Sequence, residues 1–227
     1  MNWTKTANIK GELGNAGQRG SKVSVQAITT PPQDSLVDDW NIDPETGTLY
    51  NYEKSKTQFA TFDASTGILR FWNRETVPSA GDKDPEGHNA DSVFTELNYQ
   101  GNGKSVFDSI SSKIKTAIAV DRVSFTNTSG MFNACSSLTT LDVSNFNTSN
   151  VTDMSSMFAD CQSLTTLNLS NFNTSNVTDM QWMFFRCSNL TLDCSHWNVD
   201  KVTSHTHFND DAPNVIPPTF RNTGQPE

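Results

Sequence analysis

No stretch of this sequence is apolar for long enough to cross a bilayer as a helix, which takes about 20 residues. Charge is also scarce: 18% of residues are Asp, Glu, Lys or Arg, and 16 basic against 25 acidic residues give a formal net charge of −9. A nucleic-acid backbone calls for clustered Lys and Arg that displace counterions, so nucleic acid is not an expected partner, and neither is membrane insertion. The opening Met1-Asn2-Trp3-Thr4-Lys5-Thr6 lacks the apolar run of a secretory signal, and Arg221 to Glu227 lack a hydrophobic sorting tail. The expectation is therefore a chain without an export signal or anchor of its own. Four cysteines are present, Cys135, Cys161, Cys187 and Cys194, and the first three recur every 26 residues. One thiol per period marks a structural position, so stacked core thiols are expected ahead of disulfides. Zinc sites usually carry C-x-x-C pairs, and this chain has none.

What is present is a repeat. Asn145-Phe-Asn-Thr-Ser-Asn-Val-Thr-Asp-Met154 recurs unchanged at 171–180. Phe132, Phe158 and Phe184 fall in step, as do Leu138, Leu164 and Leu190. A worn copy follows, with Trp197 and Val202 each 25 residues after Phe172 and Val177. Each unit carries two signals. Leu138-x-x-Leu141-x-Val143-x-x-Phe146 and Leu164-x-x-Leu167-x-Leu169-x-x-Phe172 alternate as a short strand does. Met154, Met157, Phe158 and Cys161 stand at i, i+3, i+4 and i+7, the stripe of two helical turns, with Asp153 as its N-cap; Asp179, Met180, Met183, Phe184 and Cys187 repeat the pattern. A strand and a helix of this size bury their apolar faces only when copies stack. His205 and Phe208 replace two methionines of the stripe in the last copy, and Pro213, Pro217 and Pro218 end it. That segment reads as the C-terminal cap. The N-terminal cap reads as a helix carrying Val106, Phe107, Ile110 and Ile114, then a strand at 117–120.

Met131-Phe132-x-x-Cys135-x-x-Leu138 and Asn147-Thr-Ser-Asn-Val-Thr-Asp-Met154 closely resemble the BspA-like leucine-rich repeats of bacterial surface proteins, over about residues 120–208. The expected fold class is thus an α/β repeat: a short leucine-rich-repeat solenoid with one strand and one short helix per 25–26 residues. An extended tail and a small β-rich domain precede it. The resemblance implies adhesion to host proteins or other cells, and no enzymatic activity.

Ahead of the repeats, Gly11, Gly14, Gly17 and Gly20 keep the collagen spacing, though too briefly and without proline to form a triple helix alone. With Trp3-x-x-x-x-x-Ile9-Lys10-Gly11 before them they resemble the start of phage tail-fibre and head-fibre proteins. Trp40, Tyr50, Phe59, Phe62, Phe71 and Trp72 suit a small β core, with turn signals at Asp43-Pro44-Glu45-Thr46-Gly47 and Ala64-Ser65-Thr66-Gly67. The organisation reads as an attachment tail over 1–35, a β-hairpin domain over 36–75, a linker over 76–92, the capped solenoid over 93–212 and a tail over 213–227.

No nucleophile, base and acid stand in a catalytic pattern. Ser195-His196 lies in a worn repeat with no nucleophile-elbow context, and His205-Thr206-His207 suits capping more than metal binding. No cofactor and no calcium loop are expected. Candidate ligand contacts are the outward strand positions Thr140, Asp142 and Ser144 in one repeat and Thr166, Asn168 and Ser170 in the next. Rows of hydroxyl and amide groups there suit a sugar or a polar protein surface. Trp3, Gly11, Gly14, Gly17 and Gly20 are candidates for particle attachment or oligomerisation. The glycine triplets admit a homotrimer, although no heptad repeat enforces one. The expected function is a non-enzymatic bacteriophage surface protein, a fibre or decoration subunit on the virion. Its N-terminus would meet other virion proteins, and its repeats a host cell-surface protein or glycan. The alternative is a bacterial cell-surface adhesin.

Overall fold

The computed structural model describes residues 2–8, 40–42, 48–53, 56–99 and 105–221. The chain divides into two compact units, 1–56 and 57–227. In the first, β1 (Asn2–Asn8), β2 (Trp40–Ile42) and β3 (Thr48–Glu53) form an antiparallel sheet in the order β1-β3-β2. Trp3 belongs to β1, opposite Tyr52, with an irregularity between Lys5 and Ala7. Gly11, Gly14, Gly17 and Gly20 lie outside the described residues.

The second unit begins with a hairpin, β4 (Thr57–Asp63) and β5 (Ile68–Arg74). Its turn is closed by Asp63, whose Oδ1 accepts the backbone N–H groups of Ser65 and Thr66 at 2.9 and 3.2 Å. Gly67 takes φ +75, and a Cβ there would sit 2.8 Å from the Lys113 carbonyl oxygen, so the turn admits no side chain at this point. A short hairpin follows, β6 (Asp82–Lys83) with β7 (Asn89–Ala90), and β8 (Ser92–Phe94) joins the free edge of β4. On the other side of the hairpin, β9 (Thr116–Ala119) pairs parallel to β5, and β11 (Thr140–Asp142) parallel to β9. The hairpin is therefore the base on which the parallel rungs are laid. Phe71, fully buried, projects from β5 into the repeats and meets Phe107, Phe125, Phe132 and Phe146 edge-on at 4.9–6.5 Å.

Above this base the rungs stack in register. β10 (Val123–Ser124) pairs parallel with β12 (Phe146–Asn147), β13 (Leu192–Asp193) with β14 (Val215–Ile216), and single parallel bridges link Asn127, Asp153, Asp179 and Ser204. One hydrophobic core runs from Ala60 to Val215.

The expected α/β architecture, with a helix in every repeat, is overturned: the described residues contain no α-helix and one short 3-10 turn, Ser111–Lys113. The expected cap helix with Val106, Phe107, Ile110 and Ile114 is likewise a series of turns around that 3-10 turn. The apolar stripe is real, because Met154, Met157, Phe158 and Cys161 are all fully buried. Its backbone, however, follows another rule. In the run 130–135, Met131, Asn133 and Cys135 donate their N–H groups to carbonyls three residues back. The alternate residues Gly130, Phe132 and Ala134 donate instead to Ser155, Met157 and Ala159 of the next rung at 2.8–2.9 Å. Ser156, Phe158 and Asp160 reach Gln181, Met183 and Phe185 in the same way, and Trp182, Phe184 and Arg186 reach Thr206, Phe208 and Asp210.

This alternation takes two left-handed residues per rung, four positions apart: Gly130 and Ala134, Ser156 and Asp160, Trp182 and Arg186, His207 and Asp211, all with φ between +53 and +61. A right-handed helix tolerates neither. The reason the ribbon wins is spacing. Parallel strands lie about 4.8 Å apart, whereas helices need about 10 Å, and a two-turn helix is marginal on its own. The turn ribbon keeps strand spacing on every side of the rung and finds partners for its N–H groups there. Phe132, Phe158 and Phe184 consequently stack face to face, at 5.8 and 5.5 Å with interplanar angles of 4° and 11°. Phe208 then turns edge-on against Phe184, and Phe220 covers both Phe208 and His205, closing the far end.

Left-handed positions test this account. Ala134 is exposed with φ 58, so Ala134→Gly is expected to stabilise the fold by about 1 kcal/mol. Ala134→Val is expected to destabilise it by a similar amount or more. An α-helical segment would give the opposite order for Gly, and urea unfolding of the two variants decides between them.

Candidate binding surface

The strand side of the stack carries the six expected ligand contacts. Thr140 and Asp142 lie in β11, Thr166 bridges to Thr191 of the next rung, and Ser144, Asn168 and Ser170 stand at the turns that follow. All six are exposed, and the two triplets stand on successive rungs, tied by Ser163 Oγ to the Ser136 carbonyl and by Asn171 Nδ2 to those of Val143 and Ser144. The middle member of each row has a local task. Asp142 Oδ1 accepts the N–H of Ser144 at 3.0 Å, and Asn168 Oδ1 that of Ser170 at 3.1 Å. Asp193 and Ser195 repeat the arrangement at 2.8 Å in the following rung. These are Asx turns, in which a short polar side chain mimics a backbone acceptor. The hydrogen bonds from Ser144 hold the Asp142 carboxyl below the usual carboxylate range. Ser195 and His196 are exposed neighbours in such a turn.

Several polar columns run through the stack at the repeated Asn and Thr positions. Asn145 Nδ2 donates to the carbonyls of Ala119 and Val120, and Asn171 Nδ2 to those of Val143, Ser144 and Phe146, at 2.8–3.3 Å. Buried Thr148 and Thr174 donate their hydroxyls to the carbonyls of Asn173 and Asn198. The repetition of Asn-Phe-Asn-Thr was the available signal. Each residue serves as a tie to a neighbouring rung, filling acceptors that strand pairing leaves open.

The thiols stand in the core as expected. All four cysteines are free and buried; Cys161 Sγ donates to the Phe132 carbonyl and Cys187 Sγ to that of Phe158. Burial pushes Cys135, Cys187 and Cys194 up to about 12, and Cys161 well above its ordinary value. They are protonated packing residues rather than nucleophiles. His205 lies flat on Phe220 at 4.2 Å, while His207 Nδ1 pairs with Asp210 at 2.5 Å. The two rings of the H-x-H thus have separate partners. Among the described residues no group of three His, Cys, Asp or Glu is arranged to hold a metal ion, and no helix is long and apolar enough to cross a membrane.

Asp153 and Asp179, expected as helix N-caps, close Asx turns instead: their Oδ1 atoms accept the N–H groups of Ser155 and Gln181 at 2.9 Å. Asn127 does the same for Ser129 one rung earlier, at 2.8 Å. Partial burial raises the Asp179 carboxyl pKa, despite the Gln181 hydrogen bonds and with Asp153 adding repulsion. A carboxyl whose pKa is raised by folding favours the fold below its ordinary pKa and loses that contribution as pH rises through the folded value. Asp179→Asn retains the acceptor, as Asn127 shows, without the charge. Its urea midpoint is expected to exceed that of the parent at pH 7, with the advantage shrinking toward pH 3. A lower midpoint at pH 7 would mean that the charge itself is needed.

No curated protein and no solved structure matches this chain. A family model described as Mycoplasma protein of unknown function, DUF285, matches residues 102–217, a span that takes in every rung from β9 to β14. On that match, which covers half of the 227 residues, the chain belongs to the DUF285 family.

Proposed function

We propose that the protein is a non-enzymatic surface-attachment protein that holds its repeat stack out toward a host surface. The observation that carries this reading is the recurrence of exposed polar rows, Thr140-Asp142-Ser144 and Thr166-Asn168-Ser170, on successive rungs tied together by Ser163 and Asn171. Such rows offer repeated donors and acceptors at fixed spacing, which suits a glycan or a polar protein face. The buried, free thiols fit the same picture, since they serve the core.

Two bearers fit this function. The virion reading rests on the glycine triplets Gly11 to Gly20, with the N-terminus meeting other virion proteins and a homotrimer as the assembly. The cell-surface reading is favoured by the resemblance to BspA-like repeats and by a family description that names mycoplasmas, which are cellular bacteria.

Antibodies raised against the full chain, applied to intact cells and to purified phage particles from the source culture, separate the two. Labelling of particles supports the virion reading, and labelling of unbroken cells the adhesin. Labelling confined to lysed cells would remove the surface-attachment function altogether.

A further inference from the structure

One column of the stack departs from its small-residue pattern. The first left-handed position of each rung holds Gly130, Ser156, Trp182 and His207 in succession. Trp182 has φ 54, a conformation that bulky side chains rarely adopt, yet it is 41% exposed. Burial therefore offsets little of the backbone strain there. Strain of this kind persists where surroundings or function enforce it. The Trp182 ring stacks on His207 of the next rung, with centroids 6.0 Å apart and an interplanar angle of 10°. On the preceding rung the same column holds Ser156, a small residue, in the place that His207 takes on the following one. The result is a step, with an aromatic wall on one side and a small hydroxyl residue as its floor.

The rim of the step is polar and charged. His207 is tied to Asp210, and Arg186 reaches toward the part-buried Asp160 at 3.9 Å; His207, Asp210 and Arg186 are exposed. We propose that the Trp182 step is a carbohydrate-binding site, in which the apolar face of a pyranose ring stacks on the indole while its hydroxyls meet Ser156, Asp160 and Arg186. An apolar peptide anchor fits less well, because Ile216 is the one other large hydrophobic side chain exposed among the described residues, and a protein hot spot needs a wider desolvated ring around its aromatic. A nucleobase would stack equally well, but the net charge of −9 opposes its phosphates. A neutral sugar needs one open aromatic face and a fringe of donors and acceptors, which is what the column supplies. The inference deepens the attachment reading and rests on it, adding a contact on the turn ribbon to those of the strand rows.

Saturation-transfer NMR on the full chain with the methyl glycosides of glucose, galactose, mannose and N-acetylglucosamine tests the site. At least one glycoside is expected to receive saturation at its ring C–H protons and to bind about tenfold more weakly to Trp182→Ser. Ser is the residue this column carries at Ser156, with φ 53, so the variant is compatible with the backbone. Trp182→Tyr keeps an aromatic face and is expected to retain binding within severalfold, which carries the test if the serine variant fails to fold. Lys113→Gln, on an exposed side chain of the 3-10 turn and outside both candidate surfaces, is expected to leave the sugar signal unchanged. Undiminished binding by Trp182→Ser overturns the site, and so does an equal loss in Lys113→Gln, because the loss would then not belong to the indole. Absence of transfer from the parent chain to all four glycosides also overturns the proposal; surface labelling by antibody would then still uphold the attachment reading.

Discussion

Everything in the second unit depends on one requirement: each rung must offer the next backbone partners at strand spacing. On the strand side this is ordinary parallel pairing, as between β9 and β11. On the opposite side it is the turn ribbon, in which every second N–H crosses to the neighbouring rung and the others close turns. Hydrogen-bond accounting thus selects the conformation. A helix would satisfy its own N–H groups but push adjacent rungs apart, opening the core between Phe132, Phe158 and Phe184.

The same requirement explains how the stack ends. A rung with no neighbour leaves both a ladder edge and an apolar face open. At the start, β5 supplies the edge and Phe71 supplies the face, while β4 and β8 extend the sheet away from the repeats. At the other end, β14 takes the last strand position, and Phe208 and Phe220 close the aromatic column with His205 against them. Polar ties finish the work inside: the Asn145 and Asn171 amides and the Thr148 and Thr174 hydroxyls reach carbonyls that the pairing leaves over. Once these groups are engaged, what remains for recognition is whatever the rungs carry outward.

Outward positions differ in kind between the two sides. On the strand rows, Asp142 and Asn168 accept the N–H groups of their own turns. On the ribbon the left-handed column is free to vary, because its side chains leave the core. Trp182 stands there, and its size is not explained by packing.

The amino-acid sequence determined the 26-residue period, the inward set Met154, Met157, Phe158 and Cys161, the core placement of the thiols and the outward exposure of Thr140, Asp142, Ser144, Thr166, Asn168 and Ser170. These follow from which residues water rejects, and that selection is written in residue type and spacing. It did not determine the backbone of the stripe: i, i+3, i+4, i+7 burial is shared by a helix and by a turn ribbon with left-handed residues every fourth position. Nor did it disclose that Asp153 and Asp179 close Asx turns, that Asn145 and Asn171 tie rungs together, or that Trp182 stands above Ser156. Those outcomes depend on groups 25 or so residues apart in the chain coming within a strand spacing of each other. Only the stacked rungs supply that proximity, so only the tertiary structure decided them.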